Sequence, residues 1–153
     1  MLPDAALGIL KEVSRHLLRR PVMGIAAAAR LDDGRWVLIR RGDTGTWAMP
    51  GGTLEWGETL QQALGRELRE EAGIESFELE RVVGVYSRPD RDLRFHAVTV
   101  VALCKVRAPT RLPMNSLEIR EVGFFAGDDV PELAMGMSDM LRAARDGGAV
   151  VLE

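Results

Sequence analysis

Cysteine and an excess of positive charge are both lacking in this chain, and each absence excludes a class of protein. Among 153 residues there is one cysteine, Cys104, which excludes a disulfide framework and a cysteine-rich zinc site. Lysine and arginine number 20 against 23 aspartates and glutamates, so the net charge is −3. That balance provides no general attraction to nucleic acid or to an anionic membrane, and we expect no large nucleic-acid footprint.

Long apolar runs are also absent. The longest, from Val22 to Ala29, is far shorter than the roughly 20 residues of a membrane-spanning helix. Asp4, Lys11 and Glu12 interrupt the core of any signal peptide. We therefore expect no membrane segment and a cytoplasmic location, with which a single cysteine is consistent.

Several common motifs of nucleotide binding and catalysis are missing as well. The chain contains no Walker A loop and no G-x-G-x-x-G, C-x-x-C or G-x-S-x-G pattern. Its 46% hydrophobic and 28% charged residues are typical of a globular protein, and its length is enough for one domain with a buried core. The chemistry of the chain must therefore depend on another pattern.

A helix is predicted between Thr59 and Gly73. Thr59 and Gln62 form a capping box at its N-terminal end, and Gly73 is a typical C-terminal cap. An apolar residue at every fourth position gives the helix one buried face; these residues are Leu60, Leu64, Leu68 and Ala72. Gly65 costs the helix about 1 kcal/mol relative to alanine, which indicates close packing at that point.

Three glutamates share one side of this helix in its last two turns. Glu67, Glu70 and Glu71 stand three and four residues apart, so their charges repel one another. They also lie at the negative end of the helix dipole, where anions are disfavoured. Arg66 and Arg69 offset only part of this charge. One explanation is a solvated acidic face; the other is a divalent cation, Mg²⁺ or Mn²⁺, held by carboxylate oxygens.

The stretch from Gly52 to Ile74 resembles the Nudix box, G-x5-E-x7-R-E-U-x-E-E-x-G-U, where U is aliphatic. It matches at every specified position, namely Gly52, Glu58, Arg66, Glu67, Leu68, Glu70, Glu71, Gly73 and Ile74. The preceding Trp47-Ala-Met-Pro-Gly-Gly52 segment is also similar to the family's approach to the box. Because nine positions at fixed spacing are far more specific than a lone glycine motif, a metal site becomes the preferred interpretation of the glutamates.

The resemblance implies an α/β fold, the Nudix-type α/β/α sandwich with a mixed β-sheet, here with an added N-terminal helix. It also implies Mg²⁺- or Mn²⁺-dependent hydrolysis of a pyrophosphate bond in a nucleoside diphosphate linked to another group. By motif position, Glu67 and Glu71 bind the metal and Glu70 is a third ligand. Glu58 supports the site and Arg66 orients the glutamates, so both are grouped with Glu70 as catalytic residues.

The general base is expected either in the box or after it. Residues 117–125 resemble the family's late strand, in which an acid precedes two aromatic positions, here Phe124-Phe125. In such enzymes a glutamate from this region often acts as a base or as an extra metal ligand. Glu118 is the first choice and Glu121 the second; the alternative is that both are surface acids.

Substrate contacts are predicted from residue type and position. Arg41, at the end of a strand near the box, suits a phosphate, and Gly51 and Gly52 permit close approach of the backbone. Trp47 and Trp56 are either packing residues or platforms for a base, and Trp47 is included among the substrate contacts.

A second resemblance concerns the segment from Val85 to His96, which includes Arg91. It is similar to the corresponding part of Nudix enzymes that act on ADP-ribose and nucleotide sugars, so such a small-molecule nucleotide is the expected partner and Arg91 a contact. One alternative is a (d)NTP pyrophosphohydrolase that removes damaged nucleotides. Another is a non-catalytic nucleotide-sensing module, against which the intact set of box glutamates argues.

The flanking segments are expected to complete the same domain. Residues 4–19 predict an amphipathic helix that packs on the core, with a dimer contact or a lid as the alternatives; its apolar stripe is Leu7, Leu10, Val13, Leu17 and Leu18. Residues 1–20 are then an N-terminal helix of the domain and 21–153 the Nudix domain proper. Strands are predicted at 22–31, 36–41, 77–87 and 95–106, and a further helix at 131–146. The sequence leaves a homodimer open.

Overall fold

The computed structural model describes residues 4–18, 20–114 and 116–153, with side chains for all of these except 4–6 and 15–18. The helices are α1 (Asp4–Leu18), α2 (Leu60–Ala72) and α3 (Met137–Asp146), and a 3₁₀ turn, Ala134–Gly136, precedes α3. The strands are β1 (Val22–Leu31), β2 (Trp36–Arg41), β3 (Trp47–Ala48), β4 (Gly51–Thr53), β5 (Phe77–Tyr86), β6 (Ala97–Val106), β7 (Ile119–Phe125) and β8 (Val151–Leu152).

These strands form one mixed sheet with the order β3-β2-β1-β6-β5-β8. Strand β1 runs parallel to β6 along its whole length, whereas β2 and β4 are antiparallel to it. The start of β1 pairs with β4, at Gly24–Ala26, and its end pairs with β2, at Ala29–Arg30. Gly51 and Gly52 therefore belong to β4 and pair with the first half of β1, and the mixed α/β architecture is confirmed.

Helix α2 has the ends and the buried face that its sequence predicts. The capping box is formed: Gln62 N donates to Thr59 Oγ1 at 3.3 Å and Thr59 N donates to Gln62 Oε1 at 2.8 Å. Gly73 ends the helix with φ 69°, a left-handed conformation that glycine adopts without strain. Its apolar stripe lies in the core, with Leu64, Leu68 and Ala72 buried and Leu60 partly buried.

The glycine inside α2 also behaves as predicted. A Cβ on Gly65 would lie 3.2 Å from Phe77 Cε1, so a larger residue would push the helix away from the start of β5. Strands β1 and β2 contribute buried residues to the core of the domain, among them Ile25, Ala27, Val37 and Leu38. This packing fixes the side of α2 that carries the glutamates against the edge of β4.

The prediction that the first helix packs on the core is wrong for the described part of its stripe. Leu7, Leu10 and Val13 are 49%, 58% and 48% exposed, while Leu17 and Leu18 lie outside the described side chains. Amphipathic spacing specifies that one helix face is apolar, but it does not specify what covers that face. The dimer contact and the lid remain as alternatives for α1.

The C-terminal helix begins later than predicted. Residues 131–136 are not α-helical, because Met135 has φ 55° and ψ 30°, outside the helical region. Helix α3 starts only after this residue, at Met137. Among the described residues, none of the helices is both long and apolar enough to span a membrane.

Candidate active site

The side chain of Arg66 organises the acidic residues of the box. Its Nε and Nη2 donate to the two oxygens of Glu58 at 2.7 and 3.0 Å, a bidentate pair. Its Nη1 donates to Glu67 Oε1 at 2.8 Å and lies 3.5 Å from Glu70 Oε2. Because of the hydrogen bonds to Arg66, the pKa of Glu58 is lowered to about 2. Arg66 thus contacts three glutamates of the box at once.

The Gly51-Gly52 turn brings the backbone of β4 directly against two glutamates of α2. Gly51 N donates to Glu71 Oε2 at 2.8 Å. A Cβ on Gly52 would collide with the carboxylate of Glu67, so glycine is required for this approach. The backbone and α2 therefore hold Glu67 and Glu71 together in a confined place.

Both carboxylates are short of compensating positive charge. Glu67 is only 7% exposed, and burial raises its pKa despite the contact with Arg66. The pKa of Glu71 is raised to about 8, chiefly by burial; the charges of Glu67 and Glu118 act in the same direction, while the hydrogen bond from Gly51 N and the charge of Arg41 oppose it. Two neighbouring carboxyl groups whose pKa values are both raised mark a place where a cation would be favoured.

The described parts of the chain contain no group of three acidic, histidine or cysteine side chains gathered closely enough to hold a metal ion as they stand. Glu70, the predicted third ligand, is 40% exposed in its side chain and is turned toward Arg66. What the site provides is a pair of carboxylates on successive turns of α2, the buried Glu67 and the partly buried Glu71, together with Glu70 beside them.

A cleft with two compartments opens at these residues. The outer chamber has a volume of about 540 Å³, and its lining includes Glu67, Glu71, Glu118, Arg41, Gly51 and Gly52. The inner chamber has a volume of about 120 Å³, and its lining includes Ile25, Tyr86, Arg91, Ala97, Thr99 and Met140. The chambers have Arg41, Gly51, Gly52 and Met135 in common, so they are parts of one cleft.

The predicted phosphate contact, Arg41, lies at the junction of the two chambers. Its Nη2 donates to Asp43 Oδ2 at 2.6 Å, and its Nη1 lies 4.0 Å from Met135 Sδ. The guanidinium therefore lines both chambers while it is paired with Asp43 in the loop after β2. The predicted backbone contacts, Gly51 and Gly52, form the floor between Arg41 and the glutamates.

Of the two candidate bases, the structure places Glu118 at the site. Glu118 lines the outer chamber, and its charge raises the pKa of Glu71. Gly42 N donates to the backbone oxygen of Glu118 at 2.5 Å, and Met114 N donates to that of Glu70 at 2.8 Å, so the loop is tied to β2 and to α2. Glu121 instead pairs with Arg40, with Oε2 and Nη1 3.5 Å apart.

The two tryptophans near the box are not brought into the cleft. Trp47 packs edge-on against Phe125, with ring centroids 4.9 Å apart, and within the described residues it is not part of either chamber wall. This is the packing alternative, in place of the predicted substrate contact. Trp56 is fully exposed, so the packing prediction is wrong for it; a turn at Gly57 directs it into solvent.

The predicted substrate contact Arg91 is engaged by the protein itself. Its five N–H groups donate to the carboxylates of Glu153 and Asp139 and to Gly136 O, at distances of 2.6–3.2 Å. Only 8% of its side chain is exposed. Arg91 lines the inner chamber while its N–H groups are engaged by the protein, and its contact with a substrate stays a prediction.

Met135 and Arg94 are among the cleft residues that sequence reasoning did not identify. Met135 adopts a left-handed backbone conformation that is rare for methionine, and no local sequence pattern predicts it. Arg94 also lines both chambers and forms a bidentate pair with Asp92, at 3.0 and 2.7 Å. It lies in the segment singled out for its resemblance to enzymes of ADP-ribose, which was the available signal for it.

The fold and the box together define a member of the Nudix hydrolase family. The family's NUDIX domain matches residues 20–144, most of the chain, and the chain belongs to this family. This confirms the resemblance inferred from residues 52–74.

Two curated relatives are similar to this chain over 72% of its length. The chain is 33% identical over 113 residues to an ADP-ribose pyrophosphatase of Methanocaldococcus jannaschii, a match covering 72% of this chain and 65% of the relative. It is 36% identical over 110 residues to a MutT-like protein of Streptomyces ambofaciens, covering 72% of this chain and 67% of the relative. The chain thus spans about two thirds of the length of each.

Among solved structures, the chain resembles an ADP-ribose pyrophosphatase from Streptococcus suis. The TM-score is 0.73, and the match covers 88% of this chain and all of the other at 23% identity. At this level of identity the likeness confirms the fold alone.

Proposed function

We propose that this protein hydrolyses a pyrophosphate bond in a nucleoside diphosphate linked to another group, in a metal-dependent reaction, with ADP-ribose or a nucleotide sugar as substrate. One observation carries the proposal. Two carboxylates of α2, the buried Glu67 and the partly buried Glu71, share a chamber with Arg41 and with the two glycines of β4, which place no side chain over the backbone. Such a chamber has room for phosphate groups between a positive side chain and a cation site.

The donor set fits a hard divalent cation. Glu67 and Glu71 would hold Mg²⁺ or Mn²⁺, with Glu70 as a further ligand, since carboxylate oxygens are the ligands these ions prefer. The raised pKa values of both carboxyl groups, caused chiefly by burial, support this, because a bound cation would stabilise their ionised forms. When bound, the cation supplies positive charge beside the phosphoryl oxygens and favours ionisation of water.

The chain's own residues would then position the reactants. Arg41 binds a phosphate oxygen across the chamber from α2. Arg66 and the Gly51 N–H hold the glutamates in place, at 2.8 Å from Glu67 and from Glu71 respectively. Glu118 accepts a proton from the water that attacks phosphorus. This division of labour suits phosphoryl transfer, in which positioning and charge neutralisation provide most of the catalysis.

The substrate class is supported by likeness to a named relative. The ADP-ribose pyrophosphatase of Methanocaldococcus jannaschii shares 33% identity with this chain. The segment after β5 contributes Arg91 and Arg94 to the cleft, where the resemblance to enzymes of ADP-ribose and nucleotide sugars was found. A (d)NTP as substrate remains the alternative. Because the chain is also similar to a MutT-like protein, dNTPs are included in the test.

The remaining expectations join this proposal. A single buried cysteine, Cys104, fits a cytoplasmic location. We also propose that residues 1–20 belong to the same domain as 21–153. A homodimer through the exposed face of α1 would be one way to cover its apolar residues.

The test is a hydrolysis panel with Mg²⁺ in which products are identified. The panel contains ADP-ribose, several nucleotide sugars, dinucleoside polyphosphates and dNTPs, including oxidised ones. AMP plus ribose 5-phosphate from ADP-ribose is the expected result. A nucleoside monophosphate plus pyrophosphate from a dNTP would replace it with the alternative. Nucleotide binding without turnover of any compound would contradict an enzymatic function and leave a sensing module.

A further inference from the structure

A tyrosine in the wall of the inner chamber carries a buried hydroxyl without a partner. Tyr86 is 3% exposed and lines this chamber, and its hydroxyl is the one buried side-chain oxygen or nitrogen in the described part of the chain that has no hydrogen bond. Buried polar groups are nearly always hydrogen-bonded, because an unsatisfied one destabilises the fold. An exception beside a cleft calls for a ligand atom that completes it.

The ring that carries this hydroxyl is held firmly. Arg91 stacks over it, with Cζ 5.0 Å from the ring centroid, and Arg91 is itself fixed by Asp139 and Glu153. On the strand, a Cβ on Gly84 would lie 3.0 Å from Tyr86 Cε2, so the ring fills the space that a side chain would need there. A hydroxyl on such a fixed ring can select among ligands by geometry.

The apolar part of the chamber wall is suited to a flat group, while Arg41, Asp92 and Arg94 are also in the wall. Met135, Met137 and Met140 line it together with Ile25 and Ala97. Methionine sulfur makes favourable contacts with aromatic rings. A volume of 120 Å³ is close to that of an apolar cavity of about 150 Å³ that binds benzene. These features match the aromatic ring of a heterocyclic base better than a sugar with several hydroxyl groups.

The order of the two chambers decides which end of a substrate each receives. Arg41 stands between them, and the glutamates lie only in the outer chamber. A substrate whose phosphates lie beside Arg41 and Glu71 therefore places its base in the inner chamber. This step depends on the proposed function, since it assumes a nucleotide substrate.

We propose that Tyr86 is a specificity-determining residue whose hydroxyl hydrogen-bonds a polar atom on the rim of the substrate's base in the inner chamber. Burial raises the pKa of Tyr86, so the group stays a neutral hydroxyl that can both donate and accept. The cost of the unpartnered hydroxyl in the free protein is then recovered when the base binds. A site of this kind discriminates strongly against a base that lacks the matching atom.

The first test measures nucleoside binding without metal and without phosphate. Adenosine, guanosine and uridine are titrated by calorimetry, in EDTA, into the wild type and Tyr86→Phe. We expect one nucleoside to bind best and its Kd to rise about tenfold in Tyr86→Phe. The same substitution should raise Tm by a few degrees in the free protein, because it removes an unsatisfied group. Thr110→Val, which removes a hydroxyl on the loop after β6, is the control and should leave Kd unchanged.

The second test measures base preference in hydrolysis. ADP-ribose is compared with its guanine, hypoxanthine and uracil counterparts in the wild type and Tyr86→Phe. KM for the preferred base should rise about tenfold, kcat should change little, and the preference should flatten. A merely structural role would lower stability and leave the preference intact.

The outcomes separate this inference from the proposed function. If the wild type hydrolyses none of the panel but Tyr86→Phe weakens nucleoside binding, the enzymatic proposal fails and the base pocket stands. If Tyr86→Phe retains the wild-type Kd and base preference, or if the wild type binds no nucleoside, the inference on Tyr86 is overturned. Since the substitution removes one oxygen atom, a folded variant is expected, and Ala97→Leu, which fills the chamber, tests the same pocket independently.

Discussion

The two chambers of the cleft differ in how their polar groups are partnered. In the outer chamber Glu67 and Glu71 have hydrogen-bond partners, Arg66 and Gly51, yet remain short of positive charge. In the inner chamber Arg91 is fully paired, and the group without a partner is the neutral hydroxyl of Tyr86. The comparison teaches that the outer chamber is organised around charge and the inner one around shape and a single hydrogen bond.

The largest effect is expected from removing a charge in the outer chamber. Glu71→Gln should lower kcat with Mg²⁺ by about 10²–10³-fold, because a charged ligand of the proposed metal is lost, while the fold stays intact. Steady-state kinetics and circular dichroism measure both quantities. Glu80→Gln, which breaks a surface pair with Arg30, is the matched control. A wild-type rate in Glu71→Gln would show that the site is assigned to the wrong residues.

The next effect comes from closing the space between backbone and carboxylate. A methyl group at residue 52 would displace Glu67, so Gly52→Ala should reduce turnover more than tenfold and destabilise the fold by about 1–3 kcal/mol. Gly127→Ala is the control, since a Cβ there meets no atom within 4 Å. Activity and the midpoint of urea denaturation are the readouts. If Gly52→Ala and Gly127→Ala had the same activity and the same denaturation midpoint, the close approach of Gly52 to Glu67 would not matter for function.

The charge deficit of the outer chamber should appear as a dependence of stability on pH. The pKa of Glu71 is about 8 in the folded protein and near 4.5 when unfolded, so the folded state binds more protons between these values. Without metal, stability should therefore fall as pH rises from about 5 to 8, by up to about 1.4 kcal/mol per pH unit for one group. Glu67, whose pKa is also raised by burial, acts in the same direction.

Denaturation in EDTA at several pH values checks this. Glu71→Gln should reduce the slope and be more stable than the wild type at pH 8. Saturating Mg²⁺ should flatten the wild-type curve, because bound metal replaces the protons. A wild-type stability that rises between pH 5 and 8 in EDTA would contradict the charge deficit.

The smallest effect is expected at Met135, the wall that both chambers have in common. Met135→Gly relieves the left-handed backbone but removes the side chain beside Arg41 and Arg94, so stability should change by less than about 1 kcal/mol while KM rises several-fold. Met135→Leu keeps the wall and should leave KM close to the wild-type value. An unchanged KM in the glycine variant would mean that this wall does not contact the substrate.

The helix with the box was predictable from sequence because its signals are local. The caps at Thr59 and Gly73 and the apolar spacing of Leu64 and Leu68 act within a few residues, and the structure has all of them. The ion pairs of Arg66 with Glu58 and Glu67 likewise join residues that are close in the sequence. Where one helix and its preceding loop contain the site, sequence reasoning is sufficient.

The rest of the cleft depends on contacts between distant segments. Arg91 was predicted to meet substrate, but its acceptors, Asp139 and Glu153, lie 48 and 62 positions away in the chain. The conformation of Met135 and the exposure of Leu10 in α1 likewise depend on what surrounds them. Residue type indicated that an arginine or an apolar face was present; only the assembled sheet shows which group it contacts.

The loop that ends at Glu118 has a practical consequence for protein engineering. Its backbone is hydrogen-bonded to α2 at Met114, which donates to Glu70 O, and to Gly42 after β2 at Glu118. The short segment that carries the glutamate is therefore anchored at both ends. A residue inserted after Met114 would lengthen that segment and swing the carboxylate away from Glu71. The same insertion in the Asp32–Gly34 hairpin, which holds no residue of the cleft, should be silent. Loop length is thus a setting that could adjust catalysis without altering any residue of the box.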